Sequence, residues 1–547
     1  MKGYPLSTQQ ARLWTWQAEN QTSATHGAIW LHGTLDLATL LAALHQMVQR
    51  HDILRTSFRQ VVGMDLPVQV VTGQVEVPCP VIDLAHLPAA SQNVLLETYQ
   101  ASMPQQVSLR QARGQLFVTV VRLAAHKHLL LLGLPALCAD GETLRLLVAE
   151  LSQLYLSLLP GKDLDETSFP STAPEEEPLQ YADVAAWQQE LVGSEEGEAL
   201  RQKWRKIDLS QLAMLRLPFA PADRAPAAHL AGEPQGKGAP GMLQWEMEED
   251  VCAHLRRMVQ RSGVSTEAWL LACWNVLLWH LRAKENLVLG VARNGRPYEE
   301  LAQVLGPFTR FVPLETHLQE NLHFDQYAAA VHQTLQQATQ RQLYFTWEDP
   351  APGIPTDSPL PSAFFPICFE YTSWPAVLGA IPLTFSLARQ HSCTEPFALK
   401  LSIVQVGEQL HCAWHAAAEQ MSQVHLQRLA SCFVTLLHGV AAHPQAAVST
   451  FSLLSPEEQA ALCTRGRAPT RPLPAEGLHQ LFEQQVPRHP DWLAVLSQEE
   501  ALTYQQLNAR ANRLAQVLRQ QGVGPNVLVA LCLPRQAQML VALLAIL

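Results

Sequence analysis

The hydrophobic pattern is clearest near the start of the chain. In LDLATLLAALHQMVQRHDILRTSF, Leu37, Leu40, Leu41, Leu44 and Met47 recur at helical spacing, which predicts an amphipathic helix ending near Arg50. The β-branched stretch PVQVVTGQVEVPCPVIDL reads as strand material. QLFVTVVRLAAHKHLLLLGLP reads as two strands around a turn at Ala124 to Lys127. A second stripe then follows a short turn. Leu144, Leu147, Val148, Leu151, Leu154 and Leu158 predict a helix that begins at Glu142 and has Asp140 as its cap.

Later, two helices are joined by RSGVS, where Gly263 ends one and Ser265 caps the next. The second of these, TEAWLLACWNVLLWHL, is apolar nearly all round. That predicts burial and makes Trp269, Trp274 and Trp279 core residues rather than ligand platforms. NLVLGVA reads as a strand before the loop RNGRPYEEL. Each half of the chain thus carries helices and strands in a similar order, without a residue-level repeat.

Breaks in the pattern divide the chain. A proline- and acid-rich connector occupies 160–178, and a second irregular stretch 218–241. From about residue 451 the sequence reads as an exposed linker. The tail then alternates helix, strand, helix, strand and the start of another helix, and its apolar end VALLAIL is expected to continue into a longer polypeptide.

Composition narrows the class. A length of 547 residues suggests two to four compact units. Hydrophobic residues at 48%, charged residues at 16% and a net charge of -11 describe a mildly acidic globular protein, so nucleic acid and anionic membranes are not expected partners. No apolar leader or membrane-length run is present, and the cytoplasm is the default expectation. The ten cysteines are scattered singly, without CxxC or a Cys/His cluster at metal-ligand spacing, and read as reduced, mostly core thiols. His126 and His128 fall beside the hairpin turn and read as solvated, not as metal ligands.

The candidate chemistry lies in GLPALCADGETLRLL, 133–147. Asp140 suits a helix cap and Gly141 a tight approach of backbone. Cys138 is a nucleophile only if a neighbouring base or cation lowers its pKa, and the sequence names none. The places that would hold a histidine beside Asp140 read Pro135, Ala136 and Leu137.

Several stretches together resemble the condensation domain of nonribosomal peptide synthetases. LSTQQARLW (6–14) looks like the family's first motif and RHDILRTSF (50–58) its second. YADVAAW (181–187) resembles the fourth, with Tyr181, Asp183 and Trp187 in place. VLGPFTRFVPL (304–314) is similar to the fifth through Gly306, Phe308 and Val312, although Pro313 replaces the usual asparagine. SLLSPEEQ (452–459) resembles the closing stretch. The tail looks like the beginning of an adenylation domain, with LTYQQL (502–507) as its first core motif.

The resemblance implies an α/β (α+β) fold of two chloramphenicol-acetyltransferase-like lobes in a V-shaped pseudodimer, followed by the start of an adenylate-forming α/β domain. The expected divisions are 1–178 and 179–455 for the lobes, 456–476 for a linker and 477–547 for the adenylation piece. With no phosphate loop in the chain, activation of an amino acid with ATP is not expected. The implied partners are carrier domains bearing phosphopantetheine arms, the rest of an adenylation domain and a tailoring enzyme; no cofactor is expected on this chain itself.

The family's third motif, His-His-x-x-x-Asp-Gly, aligns on Asp140 and Gly141, which puts Pro135 and Ala136 at the two histidines. The aspartate's implied role is structural, pairing with an arginine across the lobes. Arg296 is the candidate partner, with Arg293 as the alternative.

A general base contributes about 10²- to 10⁴-fold, while approximation of tethered reactants can contribute more. Two main readings therefore follow. The first is a condensation-like platform deficient in ordinary amide-bond formation. The second is an atypical active condensation domain working by approximation, with Tyr181 or Glu142 assisting. An unrelated acyltransferase of the same fold is a third, against which the adenylation-like tail argues.

Overall fold

The computed structural model describes residues 3–17, 24–73, 75–110, 116–159, 178–209, 212, 241–282, 286–347, 364–416, 421–466 and 476–547. The stretches read as connectors at 160–178 and 218–241 lie outside these, apart from their last residues. Two compact units divide the chain, Met1–Pro456 and Glu457–Leu547. No described helix is long and apolar enough to cross a membrane.

The first helical stripe forms Leu37–Arg50, with Asp36 capping Thr39 N. Leu40, Leu44 and Met47 are fully buried, but Leu37 and Leu41 are exposed, because the buried face runs through Thr39, Ala43 and Val48 instead. The second stripe forms Gly141–Ser157. Its Leu144, Leu147, Val148 and Leu151 are buried, while Leu158, just past the last turn, is exposed.

Both helices pack on one face of a six-stranded sheet. Its order is Leu378–Ala380, Leu383–His391, Ala24–Gly33, Lys127–Pro135, Phe117–Ala124 and Val81–Asp83. The predicted hairpin supplies two adjacent strands of it, Lys127–Pro135 and Phe117–Ala124. A long helix that the pattern did not predict, Ala89–Arg110, covers the other face through Met103 and Val107.

The second sheet runs Arg310–His317, Asn286–Arg293, Ile367–Trp374, Leu399–Val406, Gln409–Ala416 and Gly241–Glu246. Helices Glu249–Ser262 and Thr266–Arg282 meet at Gly263, whose φ of 69° is the left-handed cap conformation that glycine adopts at little cost. Trp269 and Trp274 are buried in the core with Trp414 and Phe433, whereas Trp279 is half-buried. The chain crosses between the sheets. Leu383–His391 comes from the second half of the sequence, yet pairs antiparallel with Ala24–Gly33 of the first.

In the smaller unit, Leu493–Leu496 pairs with Ala501–Thr503, and Thr503 caps the helix Tyr504–Gln520 through a capping box. The strand expected after it does not form. Residues 526–533 pair with no strand among the described residues, and Leu528 is fully exposed. The start of the predicted linker is a helix, Pro456–Gly466. None of the cysteines is in a disulfide, and Cys463 and Cys532 are exposed.

Candidate functional site

The turn after Lys127–Pro135 is built by two bonds to one carbonyl. Pro135 O accepts Cys138 N at 2.8 Å and Ala139 N at 3.2 Å, which reverses the chain before the helix Gly141–Ser157. Thr25 Oγ1 donates to Ala139 O at 2.8 Å and ties the turn to the neighbouring strand. Ala136 is fully buried and forms an apolar cluster with Leu13 and Leu137, against which Trp14, Trp16 and Phe58 pack. At Gly141 an added Cβ would lie 2.2 Å from Gln390 Nε2, so glycine lets the crossover strand pass close.

Asp140 has no exposed surface. Its Oδ1 accepts Thr143 N at 2.7 Å, which caps the helix, and lies 2.7 Å from the Thr143 hydroxyl. Its Oδ2 accepts Thr309 N at 2.7 Å, Thr309 Oγ1 at 2.9 Å and Phe308 N at 3.0 Å. The buried Arg296 completes the shell, with Nη1 3.1 Å from Oδ2 and Nη2 3.4 Å from Oδ1. Burial alone would raise the Asp140 pKa, but Arg296 and the hydrogen bonds more than offset it and hold the carboxyl below the usual range. A carboxylate so fully bonded has no lone pair left for a substrate proton.

Arg296 is held just as closely. It donates to the carbonyls of Val304, Asn294 and Gly306 at 3.2, 3.0 and 3.1 Å, and its guanidinium lies 4.3 Å from the centre of the Phe308 ring. Arg293, the alternative partner, is instead bound to Glu267 and Thr339.

Tyr181 is buried edge-on to Phe308, and its hydroxyl lies 2.8 Å from Ser7 Oγ and 3.3 Å from Pro307 O. Burial raises both the Tyr181 phenol and the Cys138 thiol above their ordinary values, so each keeps its proton at neutral pH. Glu142 faces away and pairs with Arg145. Asp183 is exposed, and Trp187 is half-buried with an edge contact to Tyr298.

Gly306 has φ +154°, and an added Cβ would sit 2.0 Å from Tyr181 Cδ2. Gly306→Ala should therefore lower the stability of this unit by at least about 2 kcal/mol, read as a fall in the urea midpoint. An unchanged midpoint would mean that Tyr181 is free to move.

Sequence reasoning did not single out Thr143, Thr309, Gln9, Gln10 or Glu395. Gln10 Nε2 donates to Leu137 O at 3.0 Å, and Gln9 Nε2 to Thr309 O at 3.0 Å and Glu395 Oε1 at 3.4 Å. Gln9 and Gln10 stand inside the LSTQQARLW stretch, which was the available signal; Glu395 had none.

Comparisons with known proteins identify the family and the fold. A family model described as "Condensation domain" matches residues 1–463, and one described as "AMP-binding enzyme" matches 482–547. Gramicidin S synthase 2 of Brevibacillus brevis is 26% identical over 551 residues, covering 100% of this chain but only 12% of the relative. The first condensation domain of the calcium-dependent antibiotic synthetase, solved with a substrate analogue, superposes with a TM-score of 0.68 at 17% identity, over 83% of this chain and 100% of that one. The X-domain in complex with OxyB from teicoplanin biosynthesis superposes at 0.59 with 22% identity, over 83% and 97%. These likenesses give the fold, the chloramphenicol-acetyltransferase-like arrangement of condensation domains.

Proposed function

Because the chain belongs to the condensation-domain family, we propose that its larger unit holds carrier-borne acyl or aminoacyl thioesters and a partner protein without itself catalysing ordinary amide-bond formation. The observation that carries this is Ala136. Where the family motif places a histidine, a methyl group sits in a filled apolar cluster. The other groups of the turn offer no replacement. Asp140 is saturated by donors, and the Cys138 thiol and Tyr181 phenol keep their protons.

Carrier domains are the partners that such a module needs, since they deliver substrates on phosphopantetheine arms. The chain continues into a match to an AMP-binding enzyme, the unit that loads a carrier in synthetases of this kind. A domain of this fold seen in complex with OxyB supports a docking role, with a tailoring enzyme as the further partner. The chain spans about 12% of the length of Gramicidin S synthase 2, so it stands for one segment of such an assembly.

The test is calorimetric titration of the chain with a carrier domain whose pantetheine bears a stable amide-linked aminoacyl group. Saturable binding is expected, weakened when the same carrier is unloaded. Absence of binding in both states would overturn the holding role.

A further inference from the structure

Among the described residues the buried charges around the turn pair off, with one exception. Arg296 is matched by Asp140, Arg12 by Glu395 at 3.4 Å and Lys400 by Glu370 at 2.7 Å. Arg310, at the head of the strand Arg310–His317, is only 7% exposed and forms no ion pair among the described residues. Among the described residues its side chain makes one hydrogen bond, from Nη1 to Leu343 O at 3.0 Å. Its Nε is buried without a partner. Glu395 is in electrostatic reach, but its oxygens are engaged by Arg12, Gln9 and the amide of Phe311.

The segment that supplies Leu343 O also carries Gln342, next to Leu343 in sequence, whose Nε2 is likewise a buried N–H donor without a partner among the described residues. Unmet donors beside a buried surplus cation call for an acceptor with several lone pairs and a negative charge. The edge of the guanidinium formed by Nε and Nη2 makes no hydrogen bond, and that planar fork matches a carboxylate side-on.

The adjoining residues place Arg310 at the site already described. Thr309, one residue before it, donates to Asp140 from both its amide and its hydroxyl, and Arg310 is in electrostatic reach of Tyr181.

We infer that Arg310 is the receptor for a carboxylate carried by the acyl or aminoacyl group of the bound thioester, an inference that rests on the holding role proposed above. A carboxylate brings one negative charge and neutralises the one surplus positive charge. A phosphate dianion would overshoot it, and the phosphate of a carrier arm stays near the carrier surface rather than at a residue this buried.

Two amide-linked pantetheine probes of the same shape test the inference, one bearing a succinyl group and the other its uncharged succinamoyl counterpart. In calorimetric titrations the chain should bind the succinyl probe about 10- to 100-fold more tightly. Arg310→Gln should abolish that preference while still binding the neutral probe, and Arg310→Lys should keep part of it. Equal binding of both probes by the unaltered chain would overturn the carboxylate assignment and leave the holding role intact. Binding of neither would overturn both.

Thermal unfolding of the ligand-free chain is a second measurement, independent of the probes. Removing a surplus buried charge in Arg310→Met should leave Tm unchanged or raise it. A clear fall would mean that the charge is compensated inside the protein, and the assignment would fail.

Discussion

Arg296→Ala is expected to cost the larger unit about 3–5 kcal/mol, read as a large drop in its urea midpoint. The substitution leaves Asp140 without surface exposure, and it removes the only cation bonded to that carboxylate among the described residues. It also strips a donor from the carbonyls of Val304, Asn294 and Gly306. Arg296→Lys should recover little, because one ammonium cannot reproduce a fork that reaches both carboxylate oxygens.

The pH dependence of the cost follows from the depressed Asp140 pKa. A carboxylate whose folded pKa lies below its unfolded value contributes stability that is fully present above the unfolded value of about 3.9 and is lost as pH falls through the folded one. Without Arg296 the burial of Asp140 raises its pKa, so the Arg296→Ala penalty should be largest at the alkaline end and shrink as pH falls through the variant's raised Asp140 value, while the unaltered chain keeps its full contribution from about pH 5 to 8. Urea titrations of both chains check this, and a penalty that grows as pH falls would contradict it.

The parts of the fold that could be read from sequence are those set by short-range periodicity. The stripes at 37–47 and 144–158, the hairpin ending at Pro135 and the caps at Asp140 and Gly263 all depend on neighbours within a few residues. The helix Ala89–Arg110 escaped because its apolar positions are sparse and Pro104 lies inside it. The second strand expected in the tail does not form, since β-branched residues specify a strand only where another edge pairs with it, and residues 526–533 pair with no strand among the described residues.

At the candidate site, spacing around the motif picked out Asp140 and resemblance supplied Arg296, but periodicity alone could not choose between Arg296 and Arg293. The structure separates them by burial, with Arg296 turned onto Asp140 and Arg293 onto Glu267. Contacts made by the crossover strand were out of reach of the sequence. The buried rings of His26, His391 and His415 lie 4.9 and 5.1 Å apart in succession, although they come from opposite ends of the larger unit. Burial holds all three below the usual histidine range, with His26 at about 4, so they are neutral near pH 7.

The second large effect concerns the reaction. A general base supplies about 10²- to 10⁴-fold of rate, and on the proposed reading the turn supplies none. Restoring one requires room as well as an imidazole. Ala136 is already packed against Leu13 and Leu137, so Ala136→His alone overpacks the cluster at a cost of about 1–3 kcal/mol. Combining it with Leu13→Ala opens the space, and that double variant should gain transfer activity of about 10²-fold or more over the unaltered chain.

The most direct test of the central claim is single-turnover transfer between a donor carrier and an acceptor carrier, both loaded as thioesters and followed by mass spectrometry. The account predicts that the unaltered chain forms amide product no faster than the two carriers alone, while the Leu13→Ala, Ala136→His variant accelerates it. Rapid product formation by the unaltered chain, abolished by Tyr181→Phe, would contradict the account and establish an active condensation domain with a different base.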